Sequence, residues 1–383
     1  MRNSRVVAIP VLASSLLFVG ACHKPEPAPS NDVAATTAAP AIASATATPP
    51  AAPAEMPKGP SADEMTLQSD LGKVKIPEDN PQSDAKIALG HQLFFDKRLS
   101  VDGSHSCYSC HLNEDGNGGH DPIAIGPKDK KLTRHSPVIW NVGYLSKLYW
   151  DGRSDSLEAQ CSAALAGGNM GLGKDKVEDK AKEIGKIAGY KRQFDKVFPG
   201  LGATAETLVK AISSYERTLV CDDTAYDKFA KGNKTALSEP QKRGLELFTG
   251  KAQCIICHTP PFFSLAFLSP AGAFFNVGIG VEGKEEKDVD VGRMAVSKQE
   301  SDWAAFKPPS LRNVSKSPPY FHDGSRATLE EAVRFMARGG FANKSRTPLL
   351  SDKHLSDDEI KSIALFLGAL DCNKKLEQPK KLP

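Results

Sequence analysis

Two Cys-x-x-Cys-His pentapeptides constrain this 383-residue chain more than any other feature: Cys107-Tyr-Ser-Cys110-His111 and Cys254-Ile-Ile-Cys257-His258, set 147 residues apart (258 minus 111). Each has the form that attaches a c-type haem covalently. Two thiols add to the two vinyl groups of one porphyrin, and the adjacent His is then held under the iron as its proximal ligand. A zinc ribbon would bring its Cys pairs within roughly 15–20 residues of each other, and a thioredoxin-like Cys-x-x-Cys would sit in a βαβ pattern that this sequence does not carry. Two covalent haem c groups are therefore expected, one on Cys107 and Cys110 with His111, the other on Cys254 and Cys257 with His258.

The N-terminus carries Arg2 and Arg5, an apolar run from Val6 to Val19, and then Gly20-Ala21-Cys22, the pattern of a signal peptide over residues 1–21. Val19-Gly20-Ala21-Cys22 resembles a bacterial lipobox, in which Cys22 becomes the lipidated first residue of the mature protein; ordinary cleavage nearby is the alternative. Residues 22–62 are so rich in Ala, Pro, Thr and Ser that they bury too little to fold, and read as a disordered, lipid-anchored tether. Export to the periplasm is expected, where haem attachment and disulfides both occur. A formal net charge of +3 with mixed signs suggests neither nucleic-acid binding nor electrostatic membrane binding.

The roughly 320 residues beyond the tether suit two domains, with one haem motif in each. Strand signals are sparse and helix starts are frequent. Ser238 with Gln241, Thr328 with Glu331 and Ser356 with Glu359 are capping pairs, and Ile360, Ile363, Ala364, Leu367 and Leu370 then share one helical face. Helices are also expected over Asp84–Phe95 and Thr204–Leu219. The expectation is a mainly α fold of two cytochrome c-like haem domains in tandem, 63–225 and 226–383. Cys161, Cys221 and Cys372 remain after the haem thiols and Cys22, so one disulfide and one buried thiol is the simplest accounting. Cys221 and Cys372, each ending a helical pattern, are the expected pair, although connectivity is not fixed by sequence alone.

From about Leu89 to Leu370 the chain resembles the bacterial di-haem cytochrome c peroxidases and their relatives of the MauG type. The matching segments are 89–96 with Arg98-Leu99-Ser100, both haem motifs, Tyr149-Trp150-Asp151-Gly152-Arg153, Glu216-Arg217-Thr218-Leu219, Pro309-Ser310-Leu311-Arg312-Asn313 and Pro319-Tyr320-Phe321-His322-Asp323-Gly324. The resemblance implies that the C-terminal haem admits electrons and takes a Met, or in MauG a Tyr, as its far-side ligand. Met336 falls at that place, with Met294 as the rival ligand and core packing as the plainer role of Met336. A thioether favours ferrous iron and raises the potential. The N-terminal haem would be the peroxidatic one, open on its far side to hydrogen peroxide. Trp150 would couple the two haems, a role compatible with filling the interface between the halves.

The far side of the N-terminal haem departs from the family. Gln160 matches the family's Gln, but Asn169 stands where a proton-moving Glu is expected, and the nearby family proline is absent. An amide exchanges no proton near neutral pH, and an acid–base group is worth about 10²–10⁴-fold in rate. Pro127 follows Ile125-Gly126 where some relatives carry a blocking His, so a five-coordinate or water-bound iron is expected unless His120 or His135 serves. His135 also occupies the place of an Asn that contributes to a calcium between the domains, whose other ligands would be the carbonyls of Ser317 and Pro319. His322 is expected to make a structural or haem-propionate contact, and His91 and His105 to pack only. The resemblance implies reduction of hydrogen peroxide with electrons from a small cytochrome c or cupredoxin, in a chain that can form a homodimer. A MauG-like oxidase of a protein or small molecule, and an electron carrier with a decayed pocket, are the alternatives.

Overall fold

Side-chain oxygens start most of the helices in the computed structural model, which describes residues 67–383. The leader, Cys22 and the whole tether of residues 22–62 lie outside the described residues. Ser83 accepts from the Lys86 N–H to open α1 (Asp84–Phe94), and Ser156 from the Ala159 N–H to open α2 (Leu157–Ala166). Helices α3 (Val177–Gly185), α4 (Ala188–Val197), α5 (Ala205–Glu216) and α6 (Ala225–Ala230) follow. After them come α7 (Glu239–Thr249), the short α8 (Met294–Ser297), α9 (Leu329–Ala337) and α10 (Asp357–Gly368). The capping boxes at Ser238, Thr328 and Ser356 form as their spacing predicts. Among the described residues the one named sheet is a two-residue antiparallel pair, Ile125–Gly126 with Lys130–Lys131, so the fold is mainly α.

Apolar side chains gather into two large clusters. One runs from Leu89 to Cys221 and takes in Cys372 and Leu376; the other runs from Tyr226 to Leu370. In each, the helix before the haem motif crosses the helix that closes the cluster at a glycine. A Cβ on Gly90 of α1 would lie 1.9 Å from the Ala211 carbonyl oxygen of α5, and one on Gly244 of α7 would lie 2.0 Å from that of Ser362 on α10. Only glycine allows so close a backbone approach.

Within the halves, residues 141–164 repeat as 313–336 at a shift of 172 (313 minus 141), whereas the haem motifs before them are 147 apart. Asn141 and Asn313 both adopt left-handed backbone, φ 65° and 67°. Asn141 Oδ1 accepts the Cys221 N–H at 2.8 Å, and Asn313 Oδ1 accepts the Cys372 N–H at 3.0 Å. The bridge Leu148–Ser154 recurs as Tyr320–Arg326, and the caps Ser156 and Thr328 then start α2 and α9. Cys221 and Cys372, at corresponding chain ends, form the expected disulfide, and Cys161 is the buried unpaired thiol.

Charged groups lock the seam between the clusters. Arg134 donates to both carboxylate oxygens of Asp290 at 2.6 and 2.9 Å and to Asp151 at 2.7 Å, while Arg293 donates to the carbonyls of Asp151 and Gly152. The two residues that follow Trp150 are thereby anchored.

Candidate functional site

Each haem motif begins on a single 3₁₀ turn, Cys107–Ser109 and Cys254–Ile256, which ends at the second cysteine and presents the histidine immediately after it. His111 Nδ1 donates to the Asn117 carbonyl at 3.1 Å, and His258 Nδ1 to that of Phe263 at 3.0 Å. With Nδ1 holding the proton, Nε2 keeps its lone pair for a metal. Burial pushes the His111 imidazole down to about 4 and lowers that of His258 as well, so both are neutral at physiological pH. The four motif cysteines are unpaired, as vinyl addition requires. Paired thiols, an oriented neutral imidazole and an adjoining cavity all fit haem c.

Two cavities adjoin the motifs. The first, of about 570 Å³, is bordered by His111, Trp150, Gln160, Asn169 and Glu216. The second, of about 200 Å³, is bordered by Cys254, Cys257, His258, His322 and Met336. Trp150 and Lys307 border both. The Trp150 indole donates to the His135 carbonyl at 2.8 Å, and its own carbonyl accepts the Lys307 N–H at 2.8 Å. Trp150 and His322 are corresponding positions of the repeat, and their rings lie 6.3 Å apart at the centroids; His322 then stacks on Phe306 at 3.7 Å. Burial holds the His322 imidazole neutral. Its place beside the second cavity suits a structural contact.

The structure brings the sequence candidates together as follows. Met336 borders the second cavity with His258, whereas Met294 packs against the cluster of Val281, Val289 and Trp303. Under the 172-residue shift Met336 corresponds to Ala164 on α2, which offers no ligand. Gln160 also lies on α2, and Asn169 follows its end. His135 is buried with Nδ1 committed to the Asp121 carbonyl at 2.9 Å, and it borders the first cavity with Ser317 and Pro319. His120 is exposed beside Asp115. Pro127 opens a 3₁₀ turn in the small hairpin. His91 pairs with the Glu377 carbonyl and His105 with the Ser104 hydroxyl, both packing roles.

Two residues with no assigned role in the sequence reading border the cavities. Lys307 is 8% exposed, and burial pushes its ammonium down to about 8. Glu216 ends α5 with its Oε2 buried and without a hydrogen-bond partner. Its only signal in the sequence is a place in the matching segment Glu216-Arg217-Thr218-Leu219; nothing local says that α2 and the cavity close over it.

The family model for di-haem cytochrome c peroxidase matches residues 84–235. The chain is 35% identical over 337 residues to cytochrome-c peroxidase IdrP1 of Pseudomonas sp. (strain SCT), covering 82% of this chain and 88% of that one. It is 33% identical to methylamine utilization protein MauG of Methylorubrum extorquens, covering 78% of this chain and 81% of that one. Among solved structures, a MauG-like protein associated with microbial copper homeostasis superposes with a TM-score of 0.74 at 29% identity, over 81% of this chain and 95% of that one.

Proposed function

The chain belongs to the di-haem cytochrome c peroxidase family, a family of oxidoreductases, and from that premise we propose that it reduces hydrogen peroxide to water with electrons from a small cytochrome c or cupredoxin. The observation that carries the reading is the asymmetry of the repeated segment 141–164 and 313–336: Met336 borders the second cavity, and Ala164 stands at the corresponding place in the first half. Met336 would thus offer a thioether to a haem in the second cavity, and Ala164 would offer no ligand to one in the first.

The haem irons supply peroxide binding and one-electron chemistry, and the chain does the rest. His111, oriented by the Asn117 carbonyl, would hold the first haem through Nε2. Gln160 and Asn169 offer amide N–H donors to peroxide in the first cavity, but neither moves a proton. His258 and Met336 would hold the second haem, and a thioether there would favour the ferrous state. Trp150 borders both cavities and would couple two haems held there. The reaction consumes two electrons and two protons: the O–O bond breaks and two water molecules form.

The leader sequence and Cys22 support a lipid-anchored location in the periplasm, where such donors occur. The MauG-like reading draws support from the lack of a far-side ligand at Ala164, but Met336 in place of a Tyr counts against it, and Asn169 in place of Glu would suit an electron carrier with a decayed pocket. In stopped-flow turnover with hydrogen peroxide and a reduced donor, wild type should oxidise the donor rapidly and His111→Gly should not. Equally slow turnover by both proteins would refute the peroxidase reading.

A further inference from the structure

We infer that Glu216 is the proton-holding group of the first cavity, standing in for the acid that position 169 lacks. The inference rests on the peroxidase reading and deepens it. Glu216 borders the same cavity as Gln160 and Asn169, and its Oε2 is buried with nothing to bond to. Its nearest cation is already engaged, because Arg217 is bound through both outer nitrogens to Glu158 of α2 at 2.7 and 2.8 Å. Asn80 donates to that same carboxylate at 2.7 Å. One carboxylate in this corner is therefore fully satisfied and the other has no partner.

A buried carboxylate without a counter-ion is costly, so such a group keeps its proton. Burial pushes the Glu216 carboxyl up to about 8; Arg217 opposes the rise and Glu158 adds to it. The other ionisable groups around it are Tyr215, one position earlier on α5, Cys161 on α2 and Cys107 of the haem motif, each held in its neutral form by burial and by the Glu216 charge. From α1, His91 faces Tyr215 and is bonded to the Glu377 carbonyl. Cys107 loses its titrating proton once it is a thioether. Lys307, at the border with the second cavity, also titrates at about 8, but as a cation that loses its charge. Glu216 is thus the carboxylic acid in this cavity that both gives and regains a proton near working pH, and the loss of the pH response in Glu216→Gln separates it from Lys307.

In the overall reaction a reduced small redox protein supplies both electrons. As the O–O bond breaks, the Glu216 carboxyl gives one proton to the oxygen that leaves as water and becomes a carboxylate. Solvent returns that proton and supplies the second. The Gln160 and Asn169 amides need only bind peroxide.

The test is the reduction midpoint of the first haem against pH, measured by spectroelectrochemistry on haem-loaded wild type, Glu216→Gln and Glu216→Asp between about pH 6 and 9.5. Ionisation of Glu216 places a negative charge in the cavity and disfavours adding an electron. The wild-type midpoint should therefore fall as pH rises through about 8. Glu216→Gln should lose that fall, Glu216→Asp should keep it at a shifted pH, and the second haem should behave alike in all three. A wild-type profile without the fall, or one that persists unchanged in Glu216→Gln, overturns the inference. If Glu216→Gln does not load haem, Glu216→Asp decides: a displaced fall supports the assignment and an undisplaced one overturns it. The midpoint needs no peroxide, so a wild type inert to peroxide would sink the peroxidase reading by itself. In a peroxide-reactive wild type, Glu216→Gln should slow the peroxide reaction by about 10²-fold or more.

Discussion

Arg312 is fully buried, and its outer nitrogens donate to the two oxygens of Asp227 at 2.8 Å each, while Nε donates to the Pro261 carbonyl at 2.8 Å. This pair ties α6 to the segment carrying Asn313, and so to the repeat itself. Removing one member leaves the other charged and buried, at a cost of about 3–5 kcal/mol. Arg312→Met should therefore lower unfolding free energy by that order at neutral pH, as read by denaturant titration. Burial alone would raise the Asp227 carboxyl, but the bonds from Arg312 and Thr224 outweigh it and hold the group below the usual carboxylate range. A carboxyl depressed in the folded state stabilises above its unfolded value of about 4 and loses that contribution as pH falls through its folded value. The gap between wild type and Arg312→Met should accordingly narrow in strong acid. A gap that does not change between about pH 7 and 2.5 would place the pair's contribution elsewhere.

Between elements, the Cys221–Cys372 disulfide joins the end of the first cluster to the chain just after α10, spanning 151 residues. Closing so long a loop restricts the unfolded chain by about 5 kcal/mol in the loop-entropy account. Replacing both cysteines by Ser should lower the melting temperature by several degrees in calorimetry while leaving both haem spectra intact, because neither cysteine lines either of the two haem-motif cavities. Spectra that change with the disulfide would tie it to the haem sites instead. The caps at Ser238, Thr328 and Ser356 were legible in the sequence because a capping box is local. The haem motifs were legible because covalent attachment fixes their spacing. Glu216 was not, since its isolation depends on Arg217 turning to Glu158 across to α2. The crossings at Gly90 and Gly244 were equally silent, for a glycine within a helix announces no partner.

Over the whole molecule, the same unit built twice serves two purposes, and the positions where the copies differ say how. Trp150 corresponds to His322, so the seam pairs an indole with a neutral imidazole. Gln160 corresponds to Ala332, which places a polar amide only in the first half. Ala164 corresponds to Met336, which places a soft ligand only in the second. The repeat turns this into a direct experiment, because the local backbone that presents Met336 is also present around Ala164: a hydroxyl cap at Ser156 or Thr328, and a helix beginning one residue later. Ala164→Met should give the first iron a thioether ligand, seen as a low-spin spectrum with loss of the peroxide reaction. Met336→Ala should open the second iron and lower its potential, since the thioether that favoured the ferrous state is gone. If Ala164→Met leaves the first haem high-spin and reactive while loading haem normally, the correspondence of the two helices does not extend to their ligands. The open face would then have to be explained by the loops after α2 rather than by the helix.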